Sequence, residues 1–316
     1  MSFAVGLVLH PSKPVGDSVA AILHADSYHP MRVIARERDR DRVPAGVEVT
    51  DDATFLDVVE GVIALGGDGT MLGAMRLLVD RPVPVVGVNH GNLGFLVEVT
   101  PAELPSALRR LAEGDFTIER HGCLEADAGD RPLTTRFGFN DVVLARTGRV
   151  GAVSVDLWVN DTRYGYYRAD AVVVATPTGS TAYNYAAGGP ILSPSSDALV
   201  VTPVAPLSGI GRAVVLGAGD RVTLAVADDS APIAVDVDGS DSGALEHGDR
   251  LTLTLRRDAA EVVRFCADEH ASRSRIKLSL LDLPLRPGQL LDLIPPELRQ
   301  RAHQAIEQEA SGGAVG

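Results

Sequence analysis

Short apolar runs alternate with helix-like stretches over roughly the first 115 residues, and this alternation constrains the fold more than any other feature. A helix-like stretch, TMLGAMRLLV, directly follows GVIAL and the turn GGDGT. Strands that alternate with helices predict an α/β domain with a doubly wound parallel sheet, whose ligands bind at the carboxyl ends of the strands. The predicted strands lie at 3–9, 31–35, 61–65 and 83–88.

The pattern changes after Glu113 to short, β-branched runs bounded by turns, which is typical of an all-β domain. We therefore expect an α/β domain over 1–120, a β-rich, sandwich-like domain over 121–265, and a proline-started helix with a tail over 291–316. The predicted strands of the second domain lie at 137–145, 154–160, 171–175, 213–216, 221–226, 233–237 and 250–255.

Composition excludes several functional classes. The net charge of −13 without a dense basic stretch argues against a nucleic-acid-binding surface. No apolar run is long enough to span a bilayer, and nothing indicates a secretory signal. Two isolated cysteines without a CxxC pair, and eight histidines without metal-ligand spacing, argue against a disulfide framework and a zinc site. We expect a cytoplasmic, reduced protein that contacts neither nucleic acid nor membrane.

The pentapeptide GGDGT, between a predicted strand and a predicted helix, is suited to binding phosphate. Gly66, Gly67 and Gly69 let the backbone approach an anion closely, and the helix N terminus points N–H groups at it. Thr70 is suited to capping the helix or donating a hydrogen bond to phosphate. Asp68 is suited to accepting a proton from an attacking hydroxyl or to holding Mg²⁺, although a carboxylate here can also serve only to stabilise the turn.

A second dense stretch, TPTGSTAY, follows a predicted strand and is rich in hydroxyl groups. Such a turn presents donors and acceptors to a base or a ribose, and Tyr183 adds a flat face for stacking. Asp170, just before that strand, is suited to accepting hydroxyl or amide hydrogens. Asn140, which can both donate and accept, matches an adenine edge. The alternative is an ordinary turn with a buried tyrosine.

Taken together, four stretches resemble the NAD kinase family, over about residues 3–280. The stretches are GGDGTMLGAMR (66–76), GVNHGNLGFL (87–96), the Asn140-Asp141 pair and ATPTGSTAYNYAAGGPILSPSSDA (175–198). GGDGT alone also fits diacylglycerol, sphingosine and phosphofructokinase relatives, whereas TPTGSTAY selects the NAD kinase branch.

The resemblance implies an enzyme that transfers a phosphoryl group from ATP or inorganic polyphosphate, with Mg²⁺, to the 2′-hydroxyl of the adenosine ribose of NAD. It implies an active site between the two domains, no fixed protein ligands for the metal, a homodimer or homotetramer, and a segment near 266–290 that returns to the first domain. Asp68 would be the general base. The phosphates would contact Gly66, Gly67, Gly69, Thr70 and Arg76. Adenine would contact Asn140, Thr178 and Ala182; ribose and nicotinamide would contact Asp141, Asp170, Thr181 and Tyr183.

Three positions depart from the family pattern, all on the acceptor side. Asp141 stands where the family usually has Glu, Ala171 follows Asp170 where Gly is usual, and the stretch 204–214 lacks the histidine of a PHxLS pattern. These changes leave open a kinase that acts on a nucleoside or nucleotide instead of NAD. A catalytically idle nucleotide sensor is a further alternative, against which the intact Asp68 argues.

Overall fold

The computed structural model describes residues 3–25, 31–91 and 96–265. The first part of the chain forms five strands and four α-helices, with a 3-10 helix at Glu37–Arg42. They are β1 (Phe3–Leu9), α1 (Gly16–Ala25), β2 (Met31–Arg36), β3 (Glu48–Thr50), α2 (Asp52–Val58), β4 (Gly61–Gly66), α3 (Asp68–Leu77), β5 (Pro84–Asn89) and α4 (Leu104–Glu113).

The strands β1 to β5 pair in parallel in the order β5-β4-β1-β2-β3. Helices α1 and α4 pack on one face of this sheet, where Ile22 and Leu104 are fully buried. Helices α2 and α3 cover the other face with Phe55, Met71 and Met75. Because both faces are covered, β4 is buried along its whole length, as its continuous apolar sequence predicts. The predicted doubly wound α/β fold is confirmed.

Over residues 117–265, strands and the loops between them are joined by a 3-10 turn at Thr178–Thr181 and a short helix, α5 (Tyr183–Ala186). The strands are β6 (Thr117–Asp127), β7 (Phe137–Gly138), β8 (Asp141–Arg146), β9 (Val153–Val159), β10 (Thr162–Ala169), β11 (Ala171–Ala175), β12 (Ala198–Val204), β13 (Ser208–Gly209), β14 (Val214–Gly217), β15 (Val222–Val226), β16 (Ile233–Val237), β17 (Ser240–Leu245) and β18 (Arg250–Arg264).

Two sheets pack face to face to form the predicted β-rich region. A six-stranded antiparallel sheet has the order β14-β12-β11-β8-β16-β17. Its inner face, including Leu144 and Val172, packs against side chains such as Leu157 and Leu224 of the other sheet. The buried core is made mainly of Val and Leu, which agrees with the low aromatic content of the sequence.

Strand β18 is longer than its sequence predicts, and it joins the two halves of the molecule. The predicted strand ends at residue 255. In the structure the register shifts between Arg256 and Ala260, with Asp258 at a positive φ of 50°, and the strand continues. Its last part pairs in parallel with β5, at Glu261 and Val262. The α/β sheet is therefore continuous with one sheet of the sandwich, in a single twelve-stranded sheet.

No helix in the described ranges has both the length and the apolar character needed to cross a bilayer. The predicted return segment at 266–290 and the predicted helix and tail at 291–316 lie outside the described residues.

The packing of α2 against β1 leads to a stability prediction. A Cβ atom at Gly6 would lie 2.5 Å from Cζ of Phe55, so that this face of β1 has no room for a methyl group. We expect Gly6→Ala to lower the free energy of unfolding by about 1–3 kcal/mol, the usual cost of overpacking a core. Urea denaturation measures the change. The matched control is Gly16→Ala, because nothing lies within 4 Å of that position; equal effects of the two substitutions would refute the packing argument.

Candidate active site

The GGDGT turn joins the end of β4 to the start of α3. A Cβ atom at Gly66 would lie 2.0 Å from Oγ1 of Thr70, so that the turn closes only over glycine. At Gly67 and Gly69 an added Cβ would meet nothing within 4 Å. These two glycines therefore leave the N terminus of α3 open to a ligand, and the positive end of the helix dipole faces the same opening.

Asp68, the first residue of α3, is half-buried, and its carboxylate is oriented by backbone groups of a distant segment. Oδ1 accepts hydrogen bonds from the N–H groups of Leu96 (3.1 Å) and Val97 (3.3 Å). Leu96 is the last residue of the GVNHGNLGFL stretch and Val97 directly follows it; residues 92–95 of the stretch are outside the described ranges. This stretch therefore contributes to the candidate site by fixing the orientation of Asp68.

A cavity of about 880 Å³ opens beside this turn. Its described lining includes five cationic side chains and no Asp or Glu, in a chain of net charge −13. The cations are Lys13, Arg36, Arg38, Arg76 and Arg136. Oγ1 of Thr70 is buried at this cavity and has no hydrogen-bond partner among the described residues. A buried hydroxyl usually has a partner, so its surroundings fit an anionic ligand that accepts a hydrogen bond.

Arg76, which the sequence assigns to phosphate binding, lines the cavity and also forms a buried contact. Its NH1 donates to Oδ2 of Asp238 over 2.9 Å, and the Asp238 side chain is 0% exposed. The Asp238 carboxylate also accepts the N–H groups of Phe139 (3.0 Å), Asn140 (2.7 Å) and Asp141 (3.2 Å). Asp238 thus ties α3 to the Asn140-Asp141 turn. Sequence reasoning missed this residue, although its place in a VDG turn was a signal.

The Asn140-Asp141 turn meets the TPTGSTAY turn because β8 and β11 are antiparallel neighbours, with Asp141 opposite Ala175. The N–H of Thr176 donates to the carbonyl of Asn140 over 2.9 Å. A Cβ atom at Gly179 would lie 1.8 Å from that same carbonyl oxygen, so only glycine fits there. The structure therefore brings both predicted acceptor motifs together at one end of the sheet.

The predicted acceptor residues Thr178, Thr181, Ala182 and Tyr183 lie along the 3-10 turn and the start of α5. Tyr183 is 43% exposed, so its ring is accessible for stacking. Oγ1 of Thr181 donates to the carbonyl of Thr178 over 3.3 Å. Behind the turn, the fully buried Asn184 donates to the carbonyls of Ser180 and Pro190 and accepts from Thr202, so it holds the turn in place.

Thr178 is also held from the β6 side by a buried polar network. Its Oγ1 lies 3.2 Å from Nδ1 of His121, whose Nε2 is 3.5 Å from Oε1 of Glu119. Burial raises the pKa of the Glu119 carboxyl, but the contacts with His121 and Arg264 outweigh it and hold the pKa well below its usual range. Arg264 in turn donates to the carbonyl of Leu96 over 2.7 Å. The network therefore connects the TPTGSTAY turn with the segment that orients Asp68.

Asp170 does not lie with the other acceptor residues of the same chain. It precedes Ala171, which pairs with Ala145 at the far end of β11. Five residues of extended strand, roughly 17 Å, separate that end from Thr176. Asp170 there accepts a hydrogen bond from Nε of Arg146 over 2.9 Å.

Two of the three departures from the family pattern lie at this same far end. Ala171 follows Asp170, and the N–H of Asp170 donates to the carbonyl of Val204, where the stretch without the expected histidine begins. Asp141 alone lies at the end of the sheet that carries the Asn140 and TPTGSTAY turns. The departures thus fall into two separate places on one chain.

Comparison with known proteins shows the family of the chain. The model of the ATP-NAD kinase N-terminal domain matches residues 18–116, and that of the ATP-NAD kinase C-terminal domain matches residues 139–265. The NAD kinase of Gemmatimonas aurantiaca is 36% identical over 252 residues, covering 79% of this chain and 86% of the relative. The NAD kinase of Heliobacterium modesticaldum is 34% identical, covering 82% and 93%. The chain belongs to the ATP-NAD kinase family.

Two solved structures share the fold. Yeast NADH kinase complexed with NADH superposes with a TM-score of 0.79 at 21% identity, over 90% of each chain. An NAD kinase from Archaeoglobus fulgidus in complex with ATP superposes with a TM-score of 0.62 at 22% identity, over 85% of this chain and 95% of the other. Membership of the family makes this chain a phosphotransferase with an alcohol group as acceptor, as its sequence motifs indicate.

In this NAD kinase family member, the carboxyl group of Asp141 has a perturbed pKa. Its side chain is 5% exposed. Burial, together with the neighbouring charge of Asp238, raises its pKa to about 7, although the N–H of Tyr183 acts in the opposite direction. The folded state therefore binds a proton at Asp141 more tightly than the unfolded chain does, with its ordinary pKa of about 3.9.

The sign of this shift predicts a pH dependence of stability. Because the folded pKa is raised, the stabilising contribution of protonated Asp141 is complete below pH 4 and is lost as the pH rises to about 7. We expect Asp141→Asn to lose less stability than the wild type between pH 5 and pH 8, measured by urea denaturation. Asp57→Asn, an exposed change on α2, is the control and keeps the wild-type slope. An unchanged slope in Asp141→Asn would contradict the assignment.

Proposed function

We propose that this chain transfers the terminal phosphoryl group of ATP to the 2′-hydroxyl of the adenosine ribose of NAD, giving NADP and ADP. One observation carries the proposal. The oriented carboxylate of Asp68 lies at the start of α3, beside the cation-lined cavity, and Arg76 of the same helix contacts Asp238, which binds the Asn140-Asp141 turn. The cavity is suited to a phosphate chain, and the turn is suited to a nucleotide.

In the proposed reaction, Asp68 accepts the proton of the 2′-hydroxyl as that oxygen attacks the terminal phosphorus. The new P–O bond forms while the bond to the bridging oxygen of ADP breaks, and the leaving ADP takes up the charge. Phosphoryl transfer depends mainly on positioning and on stabilising the negative charge of the equatorial oxygens. The N–H groups at the start of α3, with Gly67 and Gly69, and the hydroxyl of Thr70 are placed to do this.

Mg²⁺ enters, in this proposal, with the phosphates of ATP. The described residues hold no cluster of three or more His, Cys, Asp or Glu side chains that would bind a metal by themselves. Mg²⁺ is commonly bound by one or two carboxylates together with substrate phosphates, and Asp68 is the carboxylate beside the phosphate-binding turn. The metal would supply charge neutralisation on the phosphate oxygens. Gly66 supports the turn itself, because a Cβ atom there would collide with the side chain of Thr70.

On the acceptor side, we assign Asn140, Thr178 and Ala182 to adenine, and Asp141, Thr181 and Tyr183 to ribose and nicotinamide. Support comes from their convergence at one end of the six-stranded sheet and from the exposure of the Tyr183 ring. The division into a donor-binding domain over 1–120 and an acceptor-binding domain over 121–265 is part of the same proposal.

Asp170 takes part in acceptor binding, we propose, from a second copy of the chain in a homodimer or homotetramer. Its distance from the other acceptor residues of one chain supports this assignment. Exposed apolar side chains nearby, Tyr164, Tyr166 and Leu207, offer a surface for association, and the N–H of Leu207 donates to the carbonyl of Arg168 beside Asp170. We place the enzyme in the cytoplasm.

The role of Asp68 predicts a specific kinetic change. Asp68→Asn keeps the size of the side chain but removes the proton acceptor, so we expect kcat to fall about 10²- to 10⁴-fold. The Kd for NAD should change by less than about tenfold, because the substitution leaves the Asn140-Asp141 and TPTGSTAY turns intact. Steady-state NADP formation and calorimetric NAD binding measure the two quantities, with Asp57→Asn as the control. Near-normal turnover would make Asp68 a structural residue.

The acceptor is tested by a panel of candidate substrates. The shorter reach of Asp141 favours a second candidate, a kinase of nucleosides or nucleotides, since one hydrogen bond to a buried group contributes about 1–3 kcal/mol to discrimination. We expect kcat/KM, measured with ATP and Mg²⁺, to be higher for NAD than for NADH, adenosine, cytidine and their monophosphates. Phosphorylation of a nucleoside but not of NAD would overturn the proposed acceptor. Absence of any product would instead support a nucleotide sensor.

A further inference from the structure

Three cationic side chains, Lys13, Arg36 and Arg38, line the cavity on the side formed by β1 and β2. We call this group the cation wall. Lys13 lies in the loop after β1, Arg36 is the last residue of β2, and Arg38 is in the 3-10 helix that follows. Strands β2 and β4 flank β1 in the parallel sheet, so the cation wall and the GGDGT turn share the ligand-binding edge of that sheet.

Arg36 has the burial expected of a side chain that serves a bound anion. It is only 4% exposed, and its Nε has no hydrogen-bond partner among the described residues. NH1 lies 3.8 Å from the exposed carboxylate of Asp52, and the guanidinium lies 5.9 Å from the centre of the Phe55 ring. Burial, with the neighbouring charge of Arg38, lowers its pKa. A buried cation with such weak pairing is costly unless something else neutralises it.

The loop that carries Lys13 is built by contacts with neighbouring segments. Nδ1 of His10 accepts the N–H groups of Ser12 (3.2 Å) and Lys13 (3.1 Å). Arg42 donates to the carbonyl of Lys13 over 3.2 Å. The ammonium group rests against Gly91, where a Cβ atom would lie 2.3 Å from Nζ. Lys13 therefore has a defined position beside the cavity, and among the described carboxylates none forms an ion pair with it.

The remaining cations of the cavity are already paired. Arg76 contacts Asp238 and Arg136 contacts Glu125, each over 2.9 Å. Near the cation wall, Asp39 is the buried carboxylate, but it lies 3.8 Å from Nε of Arg38 and 3.6 Å from NH1 of Arg42, and its Oδ2 has no described hydrogen-bond partner. The ion pairs of Arg36 and Arg38 are therefore longer than those of Arg76 and Arg136, so the most weakly compensated positive charge of the cavity lies on the cation wall.

We propose that the cation wall binds the polyphosphate chain of the phosphoryl donor, which then lies between Lys13, Arg36 and Arg38 on one side and the N terminus of α3 on the other. The inference rests on the proposed phosphotransfer, and it adds three donor-binding residues outside the sequence motifs. The described lining residues with aromatic rings are Phe137 and His10. The guanidinium groups of Arg136 and Arg256 already lie within 6 Å of the centre of the Phe137 ring, and Nδ1 of His10 accepts the N–H groups of Ser12 and Lys13. The wall thus recognises phosphate charge and not a base.

The test uses the full-length protein and inorganic triphosphate as a probe of phosphate binding. Arg36→Met removes the charge and keeps an apolar stem against Phe55, and Arg36→Lys restores the charge. Arg40→Met is the matched control, because Arg40 lies in the same 3-10 helix, is exposed and pairs with Glu37 outside the cavity. Arg38→Met and Lys13→Met complete the set. Because the side chain of Arg38 is 62% exposed, Arg38→Met should still fold, and it tests the proposal even if Arg36→Met does not fold.

We expect the wall variants to raise the calorimetric Kd for triphosphate and the KM for ATP by about tenfold to a hundredfold, the loss expected for a hydrogen bond to a charged group. The KM for ATP and for GTP should rise by the same factor, since the wall does not contact the base. Arg36→Lys should recover most of the affinity. The KM for NAD should change less than about threefold in all variants, and Arg40→Met should resemble the wild type.

Unchanged triphosphate affinity in the folded wall variants would overturn the proposal. A rise in the KM for NAD alone would also overturn it, because these residues would then contact the acceptor. A loss of ATP affinity without a loss of triphosphate affinity would overturn it as well, because the residues would then recognise the nucleoside. Because triphosphate binding is measured without turnover, the result is independent of the acceptor. A wild type that binds triphosphate through Arg36 but fails to phosphorylate NAD would retain the wall and refute the proposed function.

Discussion

The arrangement of the candidate active site depends on the hydrogen bonds that the buried carboxylate of Asp238 accepts. It accepts three consecutive backbone N–H groups of the Asn140-Asp141 turn, Phe139 to Asp141, and one guanidinium hydrogen bond from Arg76 on α3. Four donors compensate the cost of burying one negative charge. Since Asp68 begins the helix that Arg76 nearly ends, this single carboxylate sets the distance between Asp68, the proposed proton acceptor, and the Asn140-Asp141 turn, which we propose contacts the substrate.

Strand β18 gives this contact a rigid frame. One strand pairs with β15 in the sandwich and with β5 in the parallel sheet, so the two halves share a continuous hydrogen-bonded ladder. Strand β6 pairs along most of the same strand. A hinge between the halves would have to break this ladder as well as the Asp238 contacts. The position of α3 relative to the Asn140-Asp141 turn is therefore fixed by backbone pairing as well as by side chains.

Much of this fold could be predicted from the sequence, because its local signals agree with one another. The apolar run GVIAL, followed by glycines and a helix-like stretch, predicted β4 to within one residue and α3 to within two residues at each end. The Asn140 and TPTGSTAY motifs were each recognisable by chemistry and by family resemblance. Their proximity was harder to foresee, because it depends on the antiparallel register that sets Asp141 opposite Ala175.

The parts that escaped prediction are those that depend on contacts between residues far apart in the chain. Asp238 lies in a VDG turn but in none of the four stretches singled out from the sequence, and its contact with the N–H of Asn140, 98 residues away, follows from the strand pairing. Leu96 and Val97 act through backbone N–H groups, which no side-chain pattern reveals. Asp170 and the TPTGSTAY turn lie at opposite ends of β11, so the whole length of this strand separates them.

The contrast between the acidic chain and its basic cavity explains how a protein of net charge −13 can bind two anionic substrates. At physiological ionic strength, charges separated by more than about 8 Å of solvent are largely screened. The exposed carboxylates therefore contribute little to the potential inside the cavity, whereas the lining cations and the start of α3 act at contact distance. Low exposure strengthens that field further, because Arg36 is shielded from water. Local placement, and not net charge, decides which ligands the site accepts.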